Sequence, residues 1–271
     1  LLILQLVINF SYSPGSNLLT RLGFSSHLKP ALRGFSLIKQ DHSVIAFFIH
    51  SEMIESSLLT ELPLIVFKHS SLNDAISELE ILVATSLAQF SQQGASVFIL
   101  HGNRDFLIRE NYAERCAAKL IYDHHQLNIG SDTILLLHGD TLCTDDDEYQ
   151  KFRTLVRDEL WQNEFLSRSI EERKVFANEA RNESQKASIT KPQQIMDVNQ
   201  NSVRQLFSEK ATTKILHGHT HRPAIHEIEI SESHDSASRD VQRIVLGDWG
   251  KLGWFAEINE EKLSLNSFKI P

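Results

Sequence analysis

Three times in this chain an apolar run empties into a His-Gly pair. ASVFIL (95–100) leads into HGNRDF, TILLL (133–137) into HGDTLCTDD, and TTKIL (212–216) into HGHTHRP. A run of five or six apolar, β-branched residues bounded by polar loop sequence reads as a buried strand. In open α/β sheets the chemistry gathers at the carboxyl ends of strands, where polar side chains converge while the sheet stays packed. Three strands that all end in His-Gly therefore predict an α/β fold with one site built from three loops. Residues 73–93, NDAISELEILVATSLAQFSQQ, place apolar side chains at helical spacing, with Asn73 as N-cap and Gly94 as the stop. RIVLG (243–247) and WFAEI (254–258) read as further strands.

The third loop carries His217, His219 and His221 at alternating positions. A lone histidine after a strand is more often a hydrogen-bonded structural residue, and the alternation also suits the outward face of an edge strand. Three neutral imidazoles have little reason to cluster unless something charged binds them. Gly218 lets the backbone pass close to an ion. Imidazoles joined by an Asn carbonyl and carboxylates, with no thiolate, suit manganese or iron better than a structural zinc. Two such ions lower the pKa of a shared water and clamp a displacement at phosphorus. Arg104, directly after Asn103, would supply charge to phosphate oxygens.

The net charge of -8 argues against a general nucleic-acid binder, which would show a basic face. Two cysteines, Cys116 and Cys143, make no disulfide framework in 271 residues and point to a reducing compartment. LLILQLVINF is apolar but too short to span a bilayer, and lacks the cationic lead and small-residue cleavage site of a signal peptide. Residues 1–70 hold five basic and four acidic side chains beside eleven serines, whereas residues 71–271 carry 22 basic and 31 acidic. The composition changes near residue 70.

GNRDF, HGDTLCTDD followed by Tyr149, IMDVNQ (195–200) and HGHTHRPAIH together resemble the UDP-2,3-diacylglucosamine diphosphatases of lipid A synthesis, within the calcineurin-like metallophosphoesterases. The likeness runs from about residue 73 to the end of the chain. It implies two packed β-sheets flanked by helices, with a helical cap over the acyl chains at about 149–190. It implies manganese, two ions per chain in the family, with Asn103, His138 and His217 as ligands of one and His219 of the other. Arg104 and His217 take catalytic roles by the same resemblance. Asn103, Arg104, Asp146, Ser184, Lys191 and His217 contact substrate. The partners it implies are a lipid-linked nucleotide and, peripherally, the cytoplasmic face of the bacterial inner membrane, with no nucleic acid. Phe152, Leu155, Leu160, Trp161, Phe165, Leu166 and Ile170 in the cap region also suit simple packing on the core.

Members of that family open with a strand ending in Asp-x-His and a second ending in Gly-Asp, the bridging carboxylate. Here Asp-x-His occurs only at residues 123–125, and Gly-Asp only at 139–140 and 247–248. The spacing places ELPLIVFKHSSLND (61–74) over the missing segment. Residues 1–72 are thus expected to be a divergent segment, out-of-frame or degraded, ahead of a metallophosphoesterase domain over 73–271. At most one well-formed metal site is expected. Two function classes stay open: hydrolysis of UDP-2,3-diacylglucosamine to UMP and 2,3-diacylglucosamine 1-phosphate, or binding of lipid or nucleotide without turnover.

Overall fold

The computed structural model describes residues 4–10, 44–49, 78–92, 95–192, 194–231, 238–248, 252–259 and 262–269. In chain order these form β1 (Leu4–Phe10), β2 (Val44–Ile49), α1 (Glu78–Gln92), β3 (Ala95–Leu100), α2 (Glu110–Arg115), β4 (Ala118–Ile121), β5 (His124–Ile129) and β6 (Asp132–Leu137). Then come α3 (Asp147–Arg157), α4 (Glu159–Ser167), α5 (Ile170–Thr190), α6 (Gln200–Lys210), β7 (Lys214–His217), β8 (Ala224–Ile230), β9 (Arg239–Val245), β10 (Leu252–Asn259) and β11 (Lys262–Lys269). The three His-Gly runs are strands β3, β6 and β7, and RIVLG and WFAEI fall in β9 and β10.

The strands form two sheets, ordered β11-β10-β2-β1-β3-β4 and β5-β6-β7-β9-β8. Alternation along β6 shows how the layers stack. Ile134 and Leu136 point to one face and pack with Leu216, Ile244 and Leu246 against Ala256 and Ile258 of the first sheet, so the two sheets share a core. Leu135 and Leu137 point to the other face, with Ile215 and Val241, and are covered by Val203 and Phe207 of α6. Both faces of β6 are buried, which is why its sequence is continuously apolar rather than alternating. The architecture is the α/β sandwich with outer helices that the three strand-loop units predict.

Strands β6, β7 and β9 run parallel, and β3 runs parallel to β4. Strand β1 runs antiparallel to β3, pairing Gln5 with Leu100. Its amino end, not its carboxyl end, therefore lies beside the loop that follows β3. Strand β2 is antiparallel to β1, pairing Leu4 with Ile49, so its carboxyl end lies on the same side as His101. The rest of the expected 1–72 segment, Asn73 and Gly94 lie outside the described residues.

Between β6 and α6 the chain makes three helices, each opened by a side-chain cap. Asp146 accepts from Tyr149 N at the start of α3, Asp158 accepts from Trp161 N at α4, and Ser169 with Glu172 closes a capping box at α5. Phe165 and Leu166 are buried with Val156 against Phe106 and Leu107, and Phe152, Trp161 and Phe176 pack around them. The apolar stripe divides, because Leu155 and Leu160 stay 51% and 79% exposed. Among the described residues no helix is long and apolar enough to cross a membrane.

Candidate active site

The loops after β3, β6 and β7 meet at one edge. Glycine is required where they touch. A Cβ on Gly102 would stand 3.2 Å from the His138 ring, and one on Gly139, at φ +111°, would stand 2.6 Å from His217 Nδ1. His138 Nε2 and His219 Nδ1 face each other at 3.1 Å, their rings edge to face at 4.9 Å, and the Tyr149 ring lies 5.5 Å from that of His219.

Burial pushes His138 well below the usual imidazole range, with the charges of His219, Arg157 and His221 acting the same way and Asp140 acting against them. Burial likewise lowers His219 to about 4, with His221 and Arg104 adding to it and Asp140 and Asp146 opposing. Both shifts favour the neutral ring, the form that binds a cation, and across the 3.1 Å contact one ring nitrogen donates to the other. His219 and His221 hold φ of +61° and +54°. For a non-glycine residue this left-handed conformation is strained and persists only where the surroundings impose it, as they do at functional sites.

A second carboxylate network supports this pair. Asp140 is buried, and its Oδ2 accepts from Tyr149 Oη and from Arg153 Nε, each at 2.9 Å. Burial works to raise its pKa, but His138 and Arg153 more than offset that and hold it below the carboxylate range. Gln150 Nε2 donates to the carbonyls of Asp140 and Cys143, and Arg157 Nη2 donates to the Gly102 carbonyl at 2.8 Å. Tyr149, Arg153 and Arg157 recur every four residues along α3, so one face of that helix grips two of the three loops. In the first loop, Asp105 is fully buried. Its Oδ1 accepts from Gly102 N while Oδ2 has no partner, and burial pushes its carboxyl up to about 7.

The expected site residues are distributed as follows. Asn103 and Arg104 are half-buried in the turn between Gly102 and Asp105. Asp146 and Lys191, 45 residues apart, form an ion pair at 2.6 Å, with Glu148 at 3.1 Å from the same ammonium. Ser184 is exposed on α5, seven residues before Lys191 and so on the same side of the helix. His138 and His219 come together. His217, expected as a ligand beside Asn103 and His138, does not join them in this structure. It is fully buried under the loop, with Nδ1 at 2.9 Å from the Gly218 carbonyl and Nε2 at 3.1 Å from Arg243 Nη1. Both nitrogens are spent, because the side chains of β7 alternate and this one faces the layer under α6. His221 was left out of that assignment, although the turn Gly218-His219-Thr220-His221 holds it in the same left-handed loop. The α3 stripe was also missed, though its four-residue spacing was legible.

The donor chemistry fits a divalent cation in part. Metal–nitrogen bonds of about 2.0–2.1 Å set neighbouring ligands about 3 Å apart, which matches the separation of the His138 and His219 nitrogens. Among the described residues no group of three or more His, Cys, Asp or Glu side chains is arranged to hold an ion.

No protein-family model matches the chain. It is 39% identical over 191 residues to the UDP-2,3-diacylglucosamine hydrolase of Chromohalobacter salexigens, covering 70% of this chain and 75% of that one. It is 37% identical over 197 residues to the enzyme of the same name from Hahella chejuensis, covering 73% and 78%. Among solved structures, an archaeal phosphodiesterase aligns at a TM-score of 0.30 and 11% identity over 64% of this chain and 67% of that one, too slight a likeness to bear on the site.

Proposed function

Since the chain belongs to the UDP-2,3-diacylglucosamine hydrolase family, we propose that it cleaves the pyrophosphate of UDP-2,3-diacylglucosamine, releasing UMP and 2,3-diacylglucosamine 1-phosphate. The observation that carries this reading is the neutral imidazole pair of His138 and His219 at 3.1 Å, in loops that also bring Asn103 and Arg104 to the same edge. His138 and His219 would be ligands of a divalent cation, manganese in this proposal, with Asn103 and His221 in the adjoining loops as the donors that would complete its shell. When bound, such a cation supplies a more acidic attacking water and positive charge for the pyrophosphate.

The chain's own residues do the rest. Arg104 neutralises phosphate oxygens as water adds to the α-phosphate and the leaving 2,3-diacylglucosamine 1-phosphate gains charge. Asp105, with its pKa near 7 and an unpaired oxygen, is able to take a proton inside the first loop. Arg157 holds that loop by the Gly102 carbonyl, and Tyr149 holds the His219 ring. Asp146 at the start of α3 and Lys191 at the end of α5, with Ser184 on the same side of α5, would line the mouth of a nucleotide-sugar site. Leu155, Leu160, Val175 and Ile189, exposed on the three helices, suit acyl chains, and so support a cap over a lipid substrate and peripheral binding to the inner membrane from the cytoplasm.

The test is UMP release by the purified chain with each divalent cation in turn. Manganese-dependent release that disappears in His219→Ala supports the proposal, and no release with any cation sinks it. One observation favours a second reading. The described residues offer an imidazole pair but no three-ligand group, and β1 brings its amino end to the site edge. In that reading the chain binds lipid or nucleotide and turns over at least about 10²-fold more slowly than an intact relative. Equal rates for the two would remove it.

A further inference from the structure

Arg243 lies on β9, 5% exposed, and none of the described carboxylates is within ion-pair distance of it. A buried guanidinium without an acid is costly and calls for a reason. Its Nε has no hydrogen-bond partner, and its Nη1 is 3.1 Å from His217 Nε2. The placement follows from the sheet. Strands β7 and β9 are parallel, with Ile215 opposite Arg243 and His217 opposite Val245, so Arg243 and His217 share one face on the diagonal.

That contact has only one polarity. A guanidinium keeps its protons at any ordinary pH, so Arg243 donates and His217 Nε2 accepts. The His217 proton then sits on Nδ1, which donates to the Gly218 carbonyl at 2.9 Å. The same carbonyl accepts from Thr220 N at 2.7 Å, closing a three-residue turn around His219. His219 is held there at φ +61°, facing His138. A strained turn of this kind needs its anchor fixed from below, and the described residues supply that anchor through Gly218.

We propose that Arg243 is a positioning residue for the hydrolysis: it fixes the tautomer of His217, and through His217 it fixes the Gly218 carbonyl that holds His219 in its left-handed turn. The kinetic half of this rests on the function proposed above, and the tautomer half does not.

The test uses the full chain labelled with nitrogen-15 histidine. The wild-type protein shows His217 as a single tautomer with the proton on Nδ1 and a bare Nε2. Arg243→Met, close in volume but unable to donate, loses that single tautomer, and kcat for UMP release falls about 10- to 100-fold, the usual loss for a supporting partner of a site ligand. KM hardly moves, because no substrate contact is removed. Arg243→Lys, which still donates one bond, recovers both readouts. A wild-type His217 protonated on Nε2 overturns the proposal, and so does any folded variant in which tautomer and kcat part company. If Arg243→Met does not fold, the wild-type spectrum and Arg243→Lys decide. A wild-type chain that releases no UMP breaks the functional reading alone, since the tautomer and its loss in Arg243→Met still test the relay.

Discussion

The two sheets serve the same edge in different ways. In the β5-β6-β7-β9-β8 sheet three neighbouring strands run parallel, so the carboxyl ends of β6 and β7 arrive side by side and their loops put His138 against His219. In the other sheet β3 delivers Asn103 and Arg104, but its neighbour β1 runs the opposite way and presents its amino end. A parallel pair contributes two loops to a shared site, whereas an antiparallel pair contributes one loop and the beginning of a strand. Half of the site is thus built by local strand order, and among the described residues the other half rests on the loop after β3, steadied from outside by α3.

The largest effect expected from this difference is at the imidazole pair. His138→Ala or His219→Ala should reduce UMP release at least about 10²-fold and weaken divalent-cation binding measured by calorimetry. His217→Ala should leave cation binding in place but lower thermal stability, because that ring is buried under the loop and bonded on both nitrogens, and should cost kcat about 10- to 100-fold through the lost hold on Gly218. If His217→Ala abolishes cation binding while His219→Ala leaves it intact, the assignment of roles within the third loop is wrong.

Next comes the clamp that α3 places on the loops after β3 and β6, through Arg157 on the first and Tyr149 and Arg153 on the second. Asp140→Ala leaves Arg153 and Tyr149 without their shared acceptor. Removing one partner of a largely buried pair costs about 3 kcal/mol, read as a lower denaturant midpoint at unchanged slope. A loss below about 1 kcal/mol would mean that the network is solvated and that α3 is held by Phe152, Val156 and the bonds of Gln150 and Arg157 to backbone carbonyls.

These contrasts also mark what was legible in the sequence. Strands β3, β6 and β7 could be read because burial on both faces leaves an unbroken apolar run, and the His-Gly ends placed their loops. The order of the strands could not be read, since nothing in LQLVINF says that it pairs antiparallel with ASVFIL. The alternation of His217, His219 and His221 was visible, but which ring enters the site depends on two positive φ angles that no spacing rule shows. His217 was taken as a ligand by resemblance, and in this structure the alternating direction of strand side chains points its ring toward the layer under α6. The pairing of Asp146 with Lys191, across 45 residues, was not legible, since the resemblance named each only as a substrate contact and no local pattern joins them.

A smaller effect concerns Asp105 in the loop after β3. Its carboxyl is raised to about 7 in the folded protein, chiefly by burial. The sign follows directly: a carboxyl with a raised folded pKa favours the native state below its unfolded value near 4, and that stability is lost as pH rises toward 7. Metal-free protein should therefore lose stability between about pH 4 and 7, and Asp105→Asn should flatten the decline. Equal pH profiles for the two proteins would show that the buried carboxyl is ionised throughout.

The smallest effect is expected at the mouth. Lys191 pairs with Asp146 and Glu148, but Glu148 is 82% exposed, so solvent screens much of that attraction. Ion pairs of this sort contribute about 1 kcal/mol or less, and Lys191→Met should shift the denaturant midpoint hardly at all. Its effect should fall on substrate instead. If the ammonium contacts a phosphate or the sugar, KM rises about 10-fold while kcat holds, the pattern of an interaction made equally in ground and transition states. Asp146 complicates this, because it both caps α3 and accepts from Lys191. Asp146→Asn keeps a capping oxygen and removes the charge, so it separates the two roles. If Lys191 acts on substrate, Asp146→Asn leaves α3 in place and KM moves no further than in Lys191→Met. If both substitutions leave KM untouched, the pair is only a strap between α3 and the end of α5, and the mouth of the site lies elsewhere along the three helices.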